Sequence, residues 1–122
     1  MTLKKLNCEM TVCKVRRMED AIVDGNFLFI GKTDVEISLV CETAHAPRET
    51  LERNDGWLGF RIEGQLEFSL IGILARLSKV LADAGIGIFV VSTFDTDYIL
   101  VKAENFRRAI EKLRADGYEI AD

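Results

Sequence analysis

The hydrophobic period of this chain changes from two to 3.6 residues within a short stretch, and that switch limits the folds it can adopt. Leu58, Phe60 and Ile62 alternate with Gly59, Arg61 and Glu63, the pattern of a strand with one buried and one wet face. From Leu70 the apolar residues fall at Leu70, Ile73, Leu74, Leu77, Leu81 and Ala84, a single helical stripe with Arg76, Lys79 and Asp83 away from it. Gly85 stops that helix. Ile86 to Val91 is a short branched and aromatic run that predicts a strand. Phe94-Asp95-Thr96-Asp97 then reads as a turn, and Tyr98 to Val101 as the returning strand. A second helix starts near Glu104, places Phe106, Ala109, Ile110 and Leu113 on one stripe and closes at Asp116-Gly117, before a short last strand over 118–121.

Residues 57–121 thus read strand, helix, strand, strand, helix, strand. Two helices with one apolar stripe each need one sheet face to cover, which predicts an α+β fold, a ferredoxin-like βαββαβ sandwich of the split βαβ type. The preceding residues are strand-rich. Leu6, Cys8, Met10 and Val12 alternate with polar neighbours as an opening strand, and Arg16 to Gly25 has room for a turn or two of helix. Phe27 to Ile30 and Val35 to Cys41 read as strands about a turn at Gly31 to Asp34. Thr43 to Asp55 is the candidate linker, in which Pro47 opens a short helix through Glu49, Leu51 and Glu52 that stops at Asn54-Asp55-Gly56. The expected division is therefore 1–55 and 56–122, two halves sharing one compact unit.

The 122 residues, 48% of them apolar, suffice for one shared core. A net charge of −4 and a pI near 5.1 argue against a nucleic-acid partner. No run approaches the ~18 apolar residues that would span a bilayer, and the residues after Met1 have no signal-peptide core. A cytoplasmic location without membrane contact is expected. The three cysteines, Cys8, Cys13 and Cys41, lack the paired spacing of a zinc site and read as buried free thiols.

Catalysis has poor material. The single histidine, His45, lies in a loop without a second ligand at metal spacing, and no Gly-rich phosphate loop ends in Lys-Ser or Lys-Thr. No enzyme activity, cofactor or metal is expected. Binding has better material. The connection from Gly64 to Gly72 leads a strand into a helix whose first backbone N–H groups point back at it, a place where an anion docks. In a split βαβ fold the end of the next strand, with Ser92, Thr93, Phe94 and Asp97, comes near that connection. A carboxylate at the helix start and an ammonium at Asp97 or Glu67 would match a free α-amino acid. Each residue also has a plainer role: Ser69 as helix cap, Gly72 for close packing, Asp95-Thr96 as turn, Phe94 as core or subunit interface.

The runs Phe68-Ser69-Leu70-Ile71-Gly72-Ile73-Leu74 and Ser92 to Val101 resemble the ACT-domain family, in particular small stand-alone bacterial proteins with two ACT-like halves. They are similar to the ACT domains of aspartate kinases and of the cytosolic arginine sensors of animals. The resemblance is close over 56–121 and weaker over 1–55, where the first half is degenerate and has no long helix. It implies a non-enzymatic regulatory protein, a homodimer, with a small-molecule effector, a free amino acid, held at an ACT–ACT interface. The positions matching the family's ligand loop are Glu67, Phe68, Ser69, Leu70, Ile71 and Gly72, and those matching its strand-end contacts are Thr93, Phe94 and Asp97. The arginine sensors carry an acidic residue where this chain has Leu70, so a smaller or apolar amino acid is expected instead of arginine. The alternative is an interaction module that dimerises through ACT-like sheets without a ligand.

Overall fold

The computed structural model describes residues 1–63 and 72–122. In chain order the described elements are β1 (Thr2–Lys5), β2 (Met10–Val15), β3 (Leu28–Lys32), β4 (Ile37–Glu42), β5 (Glu52–Ile62), α1 (Ile73–Asp83), β6 (Phe89–Ser92), β7 (Asp97–Lys102), α2 (Ala103–Ala115) and β8 (Glu119–Ala121). Single 3-10 turns lie at Met18–Asp20 and Thr43–His45. The chain divides into two compact units, Met1–Asn7 with Leu58–Asp122, and Cys8–Trp57. This is not the cut at residue 55. The first seven residues belong with the C-terminal unit because β1 pairs there, antiparallel to β5 and parallel to β8.

In the unit of residues 1–7 and 58–122 the strand order is β8, β1, β5, β7, β6. The elements β5, α1, β6, β7, α2 and β8 run in the expected βαββαβ order, and the additional strand β1 lies between β5 and β8. One face of this sheet meets both helices. Leu3, Phe60, Ile62, Ile99 and Val101 from the strands pack with Leu77 and Leu81 of α1 and Ala109 and Leu113 of α2. The predicted stripes are the observed ones: Ile73, Leu74 and Ala84, and Phe106 and Ile110, flank those buried positions. The predicted place of Leu70 on the first stripe lies outside the described residues. Period-two strands under period-3.6 helices bury their apolar sides together, which is the reason this segment folds as it reads.

The unit of residues 8–57 is an antiparallel sheet in the order β3, β4, β2, β5, with no α-helix. Cys13, Val15 and Leu39 form its small core with Leu28 and Ile37 beside them. Three expectations change here. The opening strand is two strands, β1 and β2, with an interruption at 6–9. Arg16 to Gly25 holds only the 3-10 turn at Met18–Asp20.

The helix expected after Pro47 does not form. Leu51 donates its N–H to the Lys14 carbonyl at 2.7 Å, drawing the chain into the start of β5. The supposed helix stop Asn54-Asp55-Gly56 is instead a bulge in that strand, where the register with β2 jumps from Val12↔Asn54 to Met10↔Trp57. Gly56, at φ +84°, adopts the left-handed backbone that a glycine bulge uses. The buried Thr11 opposite accounts for Asp55, since its hydroxyl donates to Asp55 Oδ1 at 2.6 Å.

Candidate functional site

Hydrogen bonds of Thr93 and Thr96 tie the tip of the β6–β7 hairpin to itself and to β5. Ser92 pairs with Asp97 across the ladder, leaving Thr93 to Thr96 as the loop. Thr93 donates both its N–H (2.8 Å) and its hydroxyl (2.9 Å) to the Thr96 carbonyl. Thr96, only 9% exposed, then donates its own hydroxyl to the carbonyl of Ile62 at 2.7 Å. Ile62 is the last residue of β5, so the hairpin loop is tethered to the strand end from which the chain departs towards α1. Phe94 stands out at the tip, 75% exposed, and Asp97 begins β7 half-buried.

Thr96→Val tests this tether. A buried carbonyl that loses its donor is expected to cost about 1–2 kcal/mol in urea unfolding, with faster amide exchange across 93–97. An unchanged exchange pattern would show that the loop holds itself.

Gly72 is the N-cap residue of α1, at φ +82° and ψ 4°. Among the described residues a Cβ added to it would meet nothing within 4 Å, so packing against them, one of its two expected roles, is not what calls for glycine. The left-handed backbone is. Gly72 has no side chain with which to cap the helix, and among the described residues the first turn of α1 holds no acidic residue. Beside it is a cleft of about 290 Å³, walled by Met1, Gly72, Ile73, Arg76, Asp116, Gly117 and Tyr118.

Of the expected site residues, Thr93, Phe94 and Asp97 are therefore together on the hairpin, and Gly72 is at the helix start. Among the described residues, the cleft at Gly72 has no wall from the hairpin. Glu67, Phe68, Ser69, Leu70 and Ile71, including the expected capping by Ser69, lie outside the described residues. Arg76, Asp116 and Tyr118 are cleft residues that the sequence reading did not single out. Their signal was present in Asp116-Gly117: a helix that ends there returns its chain to the level where an antiparallel helix begins.

His45 stands 3.8 Å from Glu42 Oε2 and 3.9 Å from Asp24 Oδ2, beyond hydrogen-bond range. Glu42 meanwhile accepts from the N–H groups of Asn26 (2.6 Å) and Phe27 (3.1 Å), holding the loop before β3. All three cysteines are free, Cys13 and Cys41 buried and Cys8 half-buried. Burial pushes the Cys41 thiol up to about 11, with Cys13 beside it adding to the effect, so at neutral pH it is a poor nucleophile. Burial likewise raises Cys8 and Cys13. Among the described residues no three His, Cys, Asp or Glu side chains converge as a metal site. No described helix is long and apolar enough to cross a membrane.

A split βαβ sandwich with its first helix starting at the end where its hairpin is tethered is the architecture of a small α+β module. The ACT domain profile matches residues 52–115. The chain belongs to the ACT-domain family. It is similar to a crystallised protein of Agrobacterium tumefaciens, with 32% identity over 98% of this chain and 90% of that one and a TM-score of 0.86. A Vibrio cholerae protein of unknown function, described as a possible transport protein, is 18% identical over 91% of this chain and 85% of its own, with a TM-score of 0.72. The aspartate kinase of Clostridium acetobutylicum, described as an allosteric enzyme, is 13% identical with a TM-score of 0.65. The match takes in 92% of this chain but 32% of that kinase. Those last two likenesses show the fold alone.

Proposed function

We propose that this is a non-enzymatic regulatory protein of the cytoplasm that binds a free amino acid where two ACT units meet in a homodimer. The observation that carries the reading is the 2.7 Å bond from Thr96 to Ile62, which keeps the hairpin bearing Thr93, Phe94 and Asp97 beside the end of β5. In this reading the strand-to-helix connection, with Glu67, Phe68, Ser69, Leu70, Ile71 and Gly72, forms the other wall. The part of residues 64–71 rests on the family resemblance. Binding then acts by favouring the subunit arrangement that completes the site.

Thermal unfolding with each proteinogenic amino acid at ~10 mM tests it. A ligand present at a hundred times its Kd stabilises by about 2.7 kcal/mol, a shift on the order of 10 °C for a domain of this size. Asp97→Ala is expected to shrink that shift, and light scattering to register a change in assembly. No shift with any amino acid, alongside an assembly indifferent to all of them, would leave only the ligand-free interaction module.

A further inference from the structure

The strand β1 gives this sheet five strands where the split βαβ pattern has four, adding about 4.8 Å of width, and among the described residues no third helix comes with it. Two helices then leave part of the face open. Leu3 of β1 is fully buried, but Lys5, two residues on and on the same face, lines a groove of about 550 Å³ along the flank of α2. The floor of the groove is apolar and half-buried, made by Leu58, Phe106 and Ile110. Phe106 is fixed there by its stack on Phe60, so the floor is preformed. Lys5, Arg107 and Arg114 stand around it with Glu111, and neither arginine has an ion-pair partner among the described residues. Lys5 Nζ lies 2.6 Å from Asp122 Oδ1, whose side chain is 90% exposed. Lys5, and after it Arg114, hold the Asp122 carboxyl below its usual range. Two cations of the groove thus already share a carboxylate that nothing buries.

We propose that this groove is a second ligand site, for a small carboxylic acid with an apolar chain or ring, whose body lies on Leu58, Phe106 and Ile110 and whose carboxylate takes the place of Asp122 at Lys5 and Arg114. A solvent-exposed ion pair contributes little, so Asp122 yields to a carboxylate that buries an apolar body in the same step. Three cations facing Glu111 leave the rim positive, which selects the acid over an amine of the same shape. The volume is that of a small-molecule site. The groove shares no residue with the β6–β7 hairpin or the start of α1, so its assignment stands apart from the amino-acid reading.

The test titrates octanoate into the full chain and follows backbone amide resonances, with octylamine, octanol and acetate as controls. Octanoate is expected to move the signals of Lys5, Leu58 and residues 103–114 while leaving Gly72 and residues 93–97 in place. Octanol, which keeps the body without the charge, is expected to bind several-fold more weakly; octylamine and acetate are expected not to saturate at the same concentrations. Arg114→Gln alters an exposed side chain, which keeps the fold, and is expected to weaken octanoate binding about 2- to 5-fold. Asp122→Asn is expected to do the reverse and tighten it by about the same factor, because it frees Lys5. General destabilisation cannot produce that sign. Octylamine binding as well as octanoate overturns the role of the cations, and acetate binding equally well means an adventitious ion only. Octanoate signals that move elsewhere, or an affinity that Asp122→Asn leaves unchanged or lowers, overturn the site.

Discussion

Phe60→Ala is expected to remove about 3–5 kcal/mol of folding stability, a third or more of what a domain of this size possesses. Phe60 is fully buried in β5, and its ring stacks on Phe106 of α2 with centroids 4.8 Å apart and planes at 18°. It ties the sheet to the second helix within a cluster that also contains Leu77 and Leu81 of α1. Truncation loses the transfer free energy of the ring and leaves a cavity that two helices and a sheet can close only in part. Phe60→Leu fills most of that space and is expected to cost under about 1.5 kcal/mol. Urea unfolding measures both, with a lower midpoint and an unchanged slope for Phe60→Ala. A loss below about 1 kcal/mol would mean that the ring does not hold helix and sheet together.

Phe60 also shows why the C-terminal part of the fold was readable. Its neighbours at Leu58 and Ile62, the stripes of the two helices and the alternation in β7 all report one apolar face, and local period and burial agree there. The errors fall where a contact distant in sequence decides the backbone. Pro47 and Glu49 to Glu52 have the composition of a helix start, but the backbone bond from Leu51 to Lys14 lays the chain beside β2, and β5 begins at Glu52. Asn54-Asp55-Gly56 has the composition of a stop, and only the buried Thr11 reveals that a bulge accepts it within a strand. Alternation across Leu6 to Val12 is likewise blind to the break that sends β1 and β2 into different units. Pairing partners are not encoded in a strand's own period.

The candidate site divides in the same way. The hairpin tip follows from the polar turn 94–97, because turn chemistry is local, whereas α1, read from Leu70 with Gly72 inside its first turn, has Gly72 as its N-cap. Thr96 read as plain turn, yet its hydroxyl bonds Ile62 from 34 positions away in the chain. Arg76 and Tyr118 were read only for helix polarity and strand propensity, and their position on one cleft depends on α1 starting where α2 ends.

Gly59→Val is expected to cost on the order of 3 kcal/mol or more, while the same change at Gly31 is expected to be neutral or mildly stabilising. Both glycines lie in strands, and neither has the positive φ that would demand glycine. Space separates them. A Cβ on Gly59 would run into Leu100 Cδ2, stand 2.9 Å from the Ile99 carbonyl oxygen and 3.4 Å from Leu6 Cδ1. Leu100 can rotate away, but the Ile99 oxygen is backbone of β7, which pairs with β5, and relieving that contact means opening the ladder. Removing glycine stiffens the unfolded chain and favours folding by up to about 1 kcal/mol, too little to offset the clash. At Gly31, on the terminal strand β3, an added Cβ meets nothing within 4 Å among the described residues, so the stiffening and the β propensity of valine act unopposed. Chemical unfolding of the two variants side by side checks the sign as well as the size. Equal effects at the two positions would mean that β5 and β7 do not approach as closely as Gly59 requires.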